Sequence, residues 1–416
     1  MPKPIKSLAQ CVALVCAVLL CAQAQAQSSG ISQDFTRIER GRYLTIAADC
    51  AACHDDPLEP RAFAGGRPIE TPFGMVVAPN ITPDRETGIG SFSDEQFDDA
   101  IRYGKRADHK RLYPAMPFIY YTKMSHDDVL AIRAYLNTVP AVHHAVRSDQ
   151  LPFPFSVRAS IRVWDSLNFT PGDFKSDAAK SAAWNRGAYL VQGLGHCAAC
   201  HTPKGILGGD KTGQQLQGYT IQGWFAPNLT SSERTGLTAW SDQDIVDYLQ
   251  KGHNRFAAAS GPMAEEVSYS SSHLSASDLD AIATYLKDQH AEPSRLMPIA
   301  ANEPEMVAGA AIYEDLCTAC HKSDGTGVPY LIPNLAASTS VAAADPTTIL
   351  RVVLEGAQSV ATSEEPTAPG MPAFGWQLTD GEVAAVATYI GNSWNHAAPA
   401  VTEHQVHEAR QELASD

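Results

Sequence analysis

Three short motifs, each with two cysteines separated by two residues and followed directly by histidine, carry the clearest chemistry in this sequence. The chain of 416 residues contains nine cysteines, and six of them occur in these motifs. The motifs are Cys50-Ala51-Ala52-Cys53-His54, Cys197-Ala198-Ala199-Cys200-His201 and Cys317-Thr318-Ala319-Cys320-His321. This spacing is the attachment signature of c-type haem, because one helical turn brings both thiols to one porphyrin edge and the histidine to the iron. The sequence therefore predicts three covalently bound haem c groups, attached through these six cysteines.

Two other cysteine chemistries fit the sequence less well. A structural zinc site needs two cysteine pairs near each other, whereas these pairs are isolated and each has its own histidine. A thioredoxin-like redox motif does not need the histidine and would not occur three times. The other cysteines, Cys11, Cys16 and Cys21, lie in the N-terminal segment. No cysteine after that segment is therefore left over for a disulfide bond.

The first 26 residues have the pattern of a cleaved signal peptide. Lys3 and Lys6 precede an apolar stretch at 8–20, and small residues offer cleavage after Ala24 or Ala26. This stretch is too short to span a bilayer core of ~30 Å, and no later apolar run approaches the length of a membrane span. We therefore expect an exported mature protein that is soluble or attached to a membrane only peripherally.

The charge of the chain excludes one class of partner and distinguishes its two ends. The chain has 31 basic and 46 acidic residues and a net charge of −15, which argues against binding to nucleic acid. Residues 300–416 hold three basic and fifteen acidic side chains, whereas Lys105, Arg106, Lys110 and Arg111 form a basic cluster. Two interpretations stay open. The charge serves solubility, or the basic cluster lies nearest a charged partner or membrane surface.

Each motif opens a repeat whose other elements also recur. A short helical segment precedes the motif, and a Pro-Asn pair, a capped helix, a methionine beside proline and an amphipathic helix follow it. Capping boxes are expected at Ser93 with Gln96 and at Thr379 with Glu382, while Asp345 is expected to begin the corresponding helix of the third repeat. This order predicts an all-α fold of three tandem class I cytochrome c-like domains.

The repeats also define the domain boundaries. The predicted organisation is three domains joined by a packed linker and followed by a polar C-terminal tail: 31–145, 146–177 (linker), 178–292, 300–396 and 397–416 (tail). Phe153, Phe155, Trp164 and Phe169 fall in the linker, and so many apolar side chains predict that it packs against a domain.

Each repeat places one methionine beside proline at a similar distance from the histidine. The intervals from histidine to methionine are 62, 62 and 50 residues. A thioether opposite a neutral histidine raises the reduction potential relative to two histidines. The first repeat also contains Met75 and Met124, but only Met116 has the offset of Met263. The predicted iron ligands are therefore His54, Met116, His201, Met263, His321 and Met371.

The Pro-Asn pairs leave two interpretations open. The carbonyl of Pro79, Pro227 or Pro333 accepts the Nδ1–H of the ligating histidine and fixes its tautomer, or the pair is only a turn. The remaining histidines, His196 among them, are expected at the surface or in loops.

Longer strings give a more specific resemblance. They include Thr71-Pro72-Phe73-Gly74, Leu112-Tyr113-Pro114-Ala115-Met116-Pro117 and Trp184-Asn185-Arg186-Gly187-Ala188-Tyr189-Leu190. From about Arg40 to its C-terminus the chain resembles the tri-haem cytochrome c subunit of membrane-bound periplasmic dehydrogenases that oxidise alcohol, gluconate, sorbitol or fructose. One departure within the repeats is Phe92, which stands where the second repeat has Trp240, a candidate hydrogen-bond donor to a haem propionate.

The resemblance implies a respiratory electron-transfer role without a substrate-oxidising site in this chain. A separate catalytic subunit, carrying pyrroloquinoline quinone, flavin (FAD) or a molybdenum cofactor, would supply electrons, and ubiquinone in the cytoplasmic membrane would accept them. Two alternatives stay open: an independent periplasmic shuttle to a terminal oxidase, and a haem peroxidase. A peroxidase needs an open or histidine-gated iron, against which three methionine ligands argue.

Overall fold

The computed structural model describes residues 34–56, 58–59, 61–147, 149–232, 235–290 and 296–414. The predicted signal peptide lies outside the described residues. As predicted, the protein is mainly helical, and its helices recur in three groups. Within the described residues, no helix combines the length and the apolar character needed to cross a membrane.

The first two domains have closely similar elements. The first contains α1 (34–47), α2 (Cys50–His54), β1 (Pro68–Thr71), β2 (Gly74–Val77), α3 (Asp94–Tyr103), α4 (Phe118–Tyr121) and α5 (His126–Leu136). The linker contributes β3 (Asp149–Gln150) and α6 (Ala159–Asn168). The second contains α7 (Ala182–Tyr189), a π-helical turn (Leu190–Leu194), α8 (Ala198–His201), β4 (Tyr219–Ile221), β5 (Trp224–Ala226), α9 (Asp242–Lys251), α10 (Pro262–Tyr269), a 3₁₀ turn (Ser271–His273) and α11 (Ala276–Lys287).

The third domain has the same order of main helices as the other two, but its two strands lie before the last helix of the repeat rather than directly after the motif. It contains α12 (Pro304–Leu316), α13 (Thr318–His321), a 3₁₀ turn (Leu335–Ala337), α14 (Thr347–Glu355), β6 (Ala357–Gln358), β7 (Gly370–Met371), α15 (Asp380–Asn392) and α16 (Glu403–Leu413). The short antiparallel pairs β1–β2, β4–β5 and β6–β7 were not predicted from the sequence. Each has only two to four residues per strand, which is too short to produce a clear alternating pattern.

A helix crossing at one glycine holds each domain together. The helix before each motif packs against the amphipathic helix at the end of the same domain. A Cβ atom on Gly41, Gly187 or Gly309 would lie 1.8–2.2 Å from a backbone oxygen of that terminal helix. Only glycine allows the two backbones to approach so closely, which explains why it recurs in the segment before every motif.

The predicted helix starts are largely confirmed. The side chains of Ser93 and Gln96 form a capping box at α3, and those of Thr379 and Glu382 form one at α15. Helix α14 begins at Thr347, two residues after Asp345, whose carboxylate accepts hydrogen bonds from the Thr347 N–H and hydroxyl. The predicted function of Asp345 in organising this turn is therefore right, although the helix begins later.

The linker and the C-terminal segment differ from their predictions. In the linker, Ile161 is buried and Phe169 contacts Phe118 edge-on at 5.2 Å, but Phe153 is 82% exposed and Phe155 is 40% exposed. Phe155 nevertheless packs on Phe73 of the first domain, with ring centroids 4.9 Å apart, so the predicted packing is wrong only for Phe153.

The segment predicted as a polar C-terminal tail contains a helix, α16, that packs on the third domain. Val406 on α16 is fully buried, and Arg410 donates to the Asp380 carboxylate at 2.6 Å. Single apolar residues in a polar segment gave too weak a pattern to predict this packing.

The first two domains bind each other through a reciprocal set of contacts. Tyr43 of the first domain donates to Asp278 of the second at 2.6 Å, and Tyr189 of the second donates to Asp128 of the first at the same distance. Arginines of each domain's own first helix, Arg40 and Arg186, pair with the same two carboxylates. The apolar side chains of both domains form one continuous core, whereas the third domain has two separate clusters.

Candidate functional site

Each CxxCH motif forms a single helical turn, as its spacing requires. The turns are α2, α8 and α13, and none of the six cysteines of the motifs forms a disulfide bond within the described residues. Burial raises the pKa of the Cys53 thiol to about 11 and that of Cys197 to about 12. Burial in an apolar setting therefore disfavours the charged thiolate at these two positions.

The three motif histidines have one geometry in common. Each is 8% exposed. The Nδ1 atoms of His54 and His201 lie 2.7 Å from the carbonyl oxygens of Pro79 and Pro227, and the corresponding distance from His321 to the Pro333 oxygen is 3.2 Å. These contacts fix Nδ1 as the protonated nitrogen and leave Nε2 with its lone pair.

Electrostatics favour the neutral imidazole that a metal requires. Burial lowers the pKa of all three histidines, and it lowers that of His201 to about 4 despite the hydrogen bond to Pro227. A neutral ring with protonated Nδ1 presents Nε2 as a ligand, and the carbonyl contact raises its basicity. The hydrogen bonds that the first interpretation of the Pro-Asn pairs predicts are therefore present, while iron ligation by these histidines stays a prediction.

The pairs are therefore not only turns, as the second interpretation has it, although their asparagines do form turns. The side-chain oxygen of Asn80 accepts from Thr82 N–H at 2.9 Å, and that of Asn228 accepts from Thr230 N–H at 2.8 Å. Asn334 accepts from Ala337 N–H at 3.1 Å. Each Pro-Asn pair thus uses the proline carbonyl for the histidine and the asparagine side chain to hold the loop that carries this carbonyl.

The predicted methionine ligands occupy three different local structures. Met116 lies in a loop before α4, Met263 in the first turn of α10, and Met371 in β7. Of the alternatives in the first domain, Met124 is fully buried in the apolar core, while Met75 lies in β2. The assignment of Met116, Met263 and Met371 as ligands stays a prediction.

The second and third motifs open onto one continuous cavity. Its volume is about 870 Å³, and it is lined by His201 and Met263 of the second domain and by His321 and Met371 of the third. Cys53 of the first motif lies at its margin. The sequence could not show that the sites of separate repeats merge, because this depends on how the domains pack.

The cavity has the character of a haem pocket. Apolar side chains form most of its wall, among them Leu237, Ile245 and Leu286. The indole N–H of Trp240 is buried in this wall, and it has no hydrogen-bond partner among the described residues. A buried donor without a partner is costly unless a bound group supplies an acceptor, and a haem propionate is such an acceptor. The residues present therefore fit haem c.

An aromatic pair joins the first two motifs, and the sequence analysis missed it. His196, directly before Cys197, was expected at the surface or in a loop. It lies in a loop, where it is half-buried and stacks on Tyr121 of the first domain, with ring centroids 5.5 Å apart. The Tyr121 hydroxyl donates at 2.5 Å to the carbonyl of Ala48, two residues before Cys50. No local signal marks the stacking of His196, because it depends on contact with another domain.

A cluster of carboxylates at the same boundary was also missed. Burial and the negative charges of Glu266 and Glu265 raise the pKa of Asp49 well above its usual value, while Arg67 opposes this rise. Burial likewise raises the pKa of Glu266 to about 7. Arg67 pairs with Glu265 at 2.7 Å. All four side chains line the cavity margin beside Cys53.

Comparisons with known proteins agree with this geometry. The sequence model of the cytochrome c family matches residues 185–290 and 306–394. The chain is 37% identical to the fructose dehydrogenase cytochrome subunit of Gluconobacter japonicus, covering 90% of this chain and 82% of that protein.

Two further relatives carry similar names. The chain is 39% identical to the gluconate 2-dehydrogenase cytochrome c subunit of Pantoea cypripedii, covering 87% of each. It is 36% identical to the cytochrome c subunit of alcohol dehydrogenase (quinone) from Gluconobacter oxydans, covering 88% of this chain and 80% of the relative. This chain therefore belongs to the family of dehydrogenase cytochrome c subunits, and covalently bound haem c is its cofactor.

Proposed function

We propose that this chain is a tri-haem subunit that carries electrons from the catalytic subunit of a dehydrogenase to ubiquinone. The observation that carries the proposal is the threefold recurrence of one arrangement: a CxxCH turn whose buried histidine donates Nδ1–H to a proline carbonyl. The family names support the dehydrogenase partner, since three relatives are cytochrome subunits of fructose, gluconate and alcohol dehydrogenases. The substrate class is accordingly an alcohol, a sugar or a sugar acid.

In this proposal the protein residues hold each iron in a fixed low-spin state. The pairs are His54 with Met116, His201 with Met263, and His321 with Met371. Bound haem supplies one-electron exchange between ferric and ferrous iron. The protein keeps each histidine neutral, excludes water by burial and supplies a thioether sulfur, which favours the ferrous form relative to a second histidine.

The shared cavity supports a continuous electron path through the second and third domains. His201 and His321 line the same space among the described residues, which supports direct approach of the second and third haems. The position of Cys53 at the cavity margin and the stacked Tyr121–His196 pair support close approach of the first site to the second. Electron transfer among three fixed centres requires such proximity.

We further propose that the complex works at the periplasmic face of the cytoplasmic membrane, with this chain attached peripherally. The predicted signal peptide and the lack of a spanning helix among the described residues support this location. The catalytic partner would carry pyrroloquinoline quinone, FAD or a molybdenum cofactor. Alkaline carbonate should release the chain from membranes, and retention after this treatment would contradict peripheral attachment.

Purification from solubilised membranes tests the assembly. The chain should co-purify with a dehydrogenase catalytic subunit, contain three haems by pyridine haemochrome analysis and support substrate-dependent reduction of a ubiquinone analogue. A chain that purifies alone and donates to a terminal oxidase would instead be a shuttle. High-spin haem with peroxidase activity would contradict the proposed ligation.

Two matched variants test the ligands independently of activity. Replacing both Cys317 and Cys320 with alanine should remove one haem of three and leave the other two spectra intact. Met116→Ala should abolish the sulfur-to-iron absorption band of the first haem, whereas the matched control Met75→Ala should keep it. The opposite result for these two methionines would show that Met75 is the ligand.

A further inference from the structure

The exposed apolar side chains of this protein are concentrated in one region. Of the fifteen large apolar side chains that are exposed among the described residues, seven lie within 153–167 and 206–207. Ile206 is 96% exposed, Phe153 82%, Leu167 67% and Val163 63%. Single exposed apolar residues are ordinary, but a contiguous group on a folded surface marks an interaction site.

The geometry of α6 explains how this group forms one face. Ile161 and Trp164 face the protein: Ile161 is buried, and the Trp164 indole N–H donates to the Leu207 carbonyl at 2.6 Å. Val163 and Leu167, four residues apart, occupy the opposite side of the helix and are exposed. The Trp164 contact brings the loop with Ile206 and Leu207 beside this stripe.

The basic cluster of the first domain lies along the other side of α6. Arg111 donates to Asp165 of α6 at 2.5 Å, and Arg158 donates to the Arg111 carbonyl at 2.7 Å. Tyr113 donates to the Phe155 carbonyl at 3.1 Å. These contacts join the basic loop 104–111 and the segment 155–168 into one surface, which we call the amphipathic patch together with Phe153, Ile206 and Leu207.

The charge of the amphipathic patch is opposite to that of the chain. The two segments 104–111 and 155–168 contain six basic residues and two acidic ones, whereas the whole chain has a net charge of −15. The acidic residues offset only part of this excess: Asp108 pairs with Arg106 and Lys110, and Asp165 pairs with Arg111. Asp99 of α3 faces Lys105 at 3.2 Å. Arg162 is exposed directly beside Val163.

We propose that the amphipathic patch binds an anionic lipid surface and orients the first domain against the membrane. An exposed apolar stripe next to lysines and arginines has the chemistry of an interfacial helix, which lies in the headgroup region with its apolar side inward. Anionic headgroups attract such basic residues, and they repel the acidic third domain. Because the rest of the protein is acidic, the basic amphipathic patch is the face whose charge is complementary to an anionic membrane. The inference rests on the proposed membrane location and specifies its surface.

Vesicle flotation of the purified haem-loaded chain tests this inference without a partner or quinone. The chain should float with vesicles of equal parts phosphatidylglycerol and phosphatidylethanolamine, bind phosphatidylcholine vesicles more weakly, and dissociate as salt rises. Arg162→Glu should weaken binding to the anionic vesicles about tenfold or more. The double variant Val163→Asn/Leu167→Asn should weaken it to a similar degree.

Matched controls separate the patch from general effects of charge or polarity. Arg85→Glu removes an exposed arginine of the first domain outside the patch, and Val307→Asn changes a side chain that is 57% exposed on α12. Both controls should float like the unmodified chain. Haem spectra and thermal unfolding should match for all variants, because every substituted side chain is exposed.

Either of two results would overturn the inference. One is that the patch variants float with anionic vesicles as well as the controls do, and the other is that the unmodified chain does not bind these vesicles. If the patch variants instead lost only the dehydrogenase subunit on co-purification, the face would be a protein interface. The proposed function does not depend on this result. If the patch variants bind vesicles normally while the chain still contains three haems and supports quinone reduction, only the inference about the patch is wrong.

Discussion

The first two domains form a fused pair, whereas the third keeps the same fold without the residues that fuse them. In the pair, the residue before the crossing glycine is Arg40 or Arg186, and the residue two positions after it is Tyr43 or Tyr189. In the third domain both positions hold alanine. One fold therefore serves both arrangements, and a few side chains around the crossing glycine of the first helix distinguish the domains that join from the one that does not.

The third domain is attached through other contacts. Thr220 donates to the Asp345 carboxylate at 2.5 Å, and Arg351 lies over the ring of Trp224 at 5.3 Å. These contacts frame the shared cavity rather than a common apolar core. The comparison suggests that the first two domains respond to perturbation together and that the third responds alone.

The largest expected effect comes from breaking a helix crossing in each part. A valine at Gly187 or Gly309 would press against a backbone carbonyl and destabilise its domain by more than about 4 kcal/mol. Because the first two domains share one core, Gly187→Val should remove two low-spin His/Met centres, whereas Gly309→Val should remove one. Electron paramagnetic resonance would count them. Loss of a single centre in Gly187→Val would contradict the fused pair.

Removing the charge of one carboxylate between the first two domains should have a smaller effect on stability. Asp278→Asn removes the anion that Arg186 and Tyr43 share, and we expect the free energy of unfolding of the first two domains to fall by about 2 kcal/mol, since Arg186 is one-third exposed. Glu382→Gln, at the equivalent position of α15, keeps its capping box and should leave the unfolding midpoint unchanged. Chemical denaturation followed by haem absorbance measures both.

The same carboxylate makes the fused pair sensitive to acid. Burial acts to raise the pKa of Asp278, but hydrogen bonds from Arg186 and Tyr43 and the Arg186 charge outweigh it, so the pKa lies below its usual value. A carboxylate with a lowered pKa stabilises the fold above its unfolded pKa of ~3.9, and this stabilisation is lost as pH falls through the folded pKa. The stability difference between the unmodified chain and Asp278→Asn should therefore shrink below about pH 4. A difference that stays constant from neutral pH down into that range would rule out this linkage.

What the sequence could predict was local, and what it missed joins distant segments. The CxxCH turns, the capping boxes at Ser93 and Thr379 and the proline contacts of the histidines follow from residues close in sequence or from a repeated pattern. The stacking of His196 on Tyr121 and the exposure of Phe153 depend on how the domains and the linker pack, which no single repeat encodes. The same holds for the Tyr43–Asp278 hydrogen bond, whose partners are 235 residues apart.

The smallest expected effect is on a haem reduction potential, and it concerns a residue that differs between the first and second domains. Trp240 presents a buried indole N–H to the cavity, whereas the first domain has Phe92 at this position. A hydrogen bond from this N–H to a haem propionate would offset the propionate's negative charge and favour the ferrous state. Trp240→Phe should therefore lower one reduction potential on the order of tens of millivolts and leave the other two unchanged.

The reverse exchange in the first domain completes this test. Phe92→Trp adds an indole at the corresponding position, and it should raise the potential of the first haem only if its N–H reaches a propionate there. Spectroelectrochemical titration of each variant would resolve the three potentials. Because Trp240 also stacks on Phe256 at 5.8 Å, a mere loss of packing would lower stability instead. A Trp240→Phe chain with altered unfolding but three unchanged potentials would limit Trp240 to that packing contact.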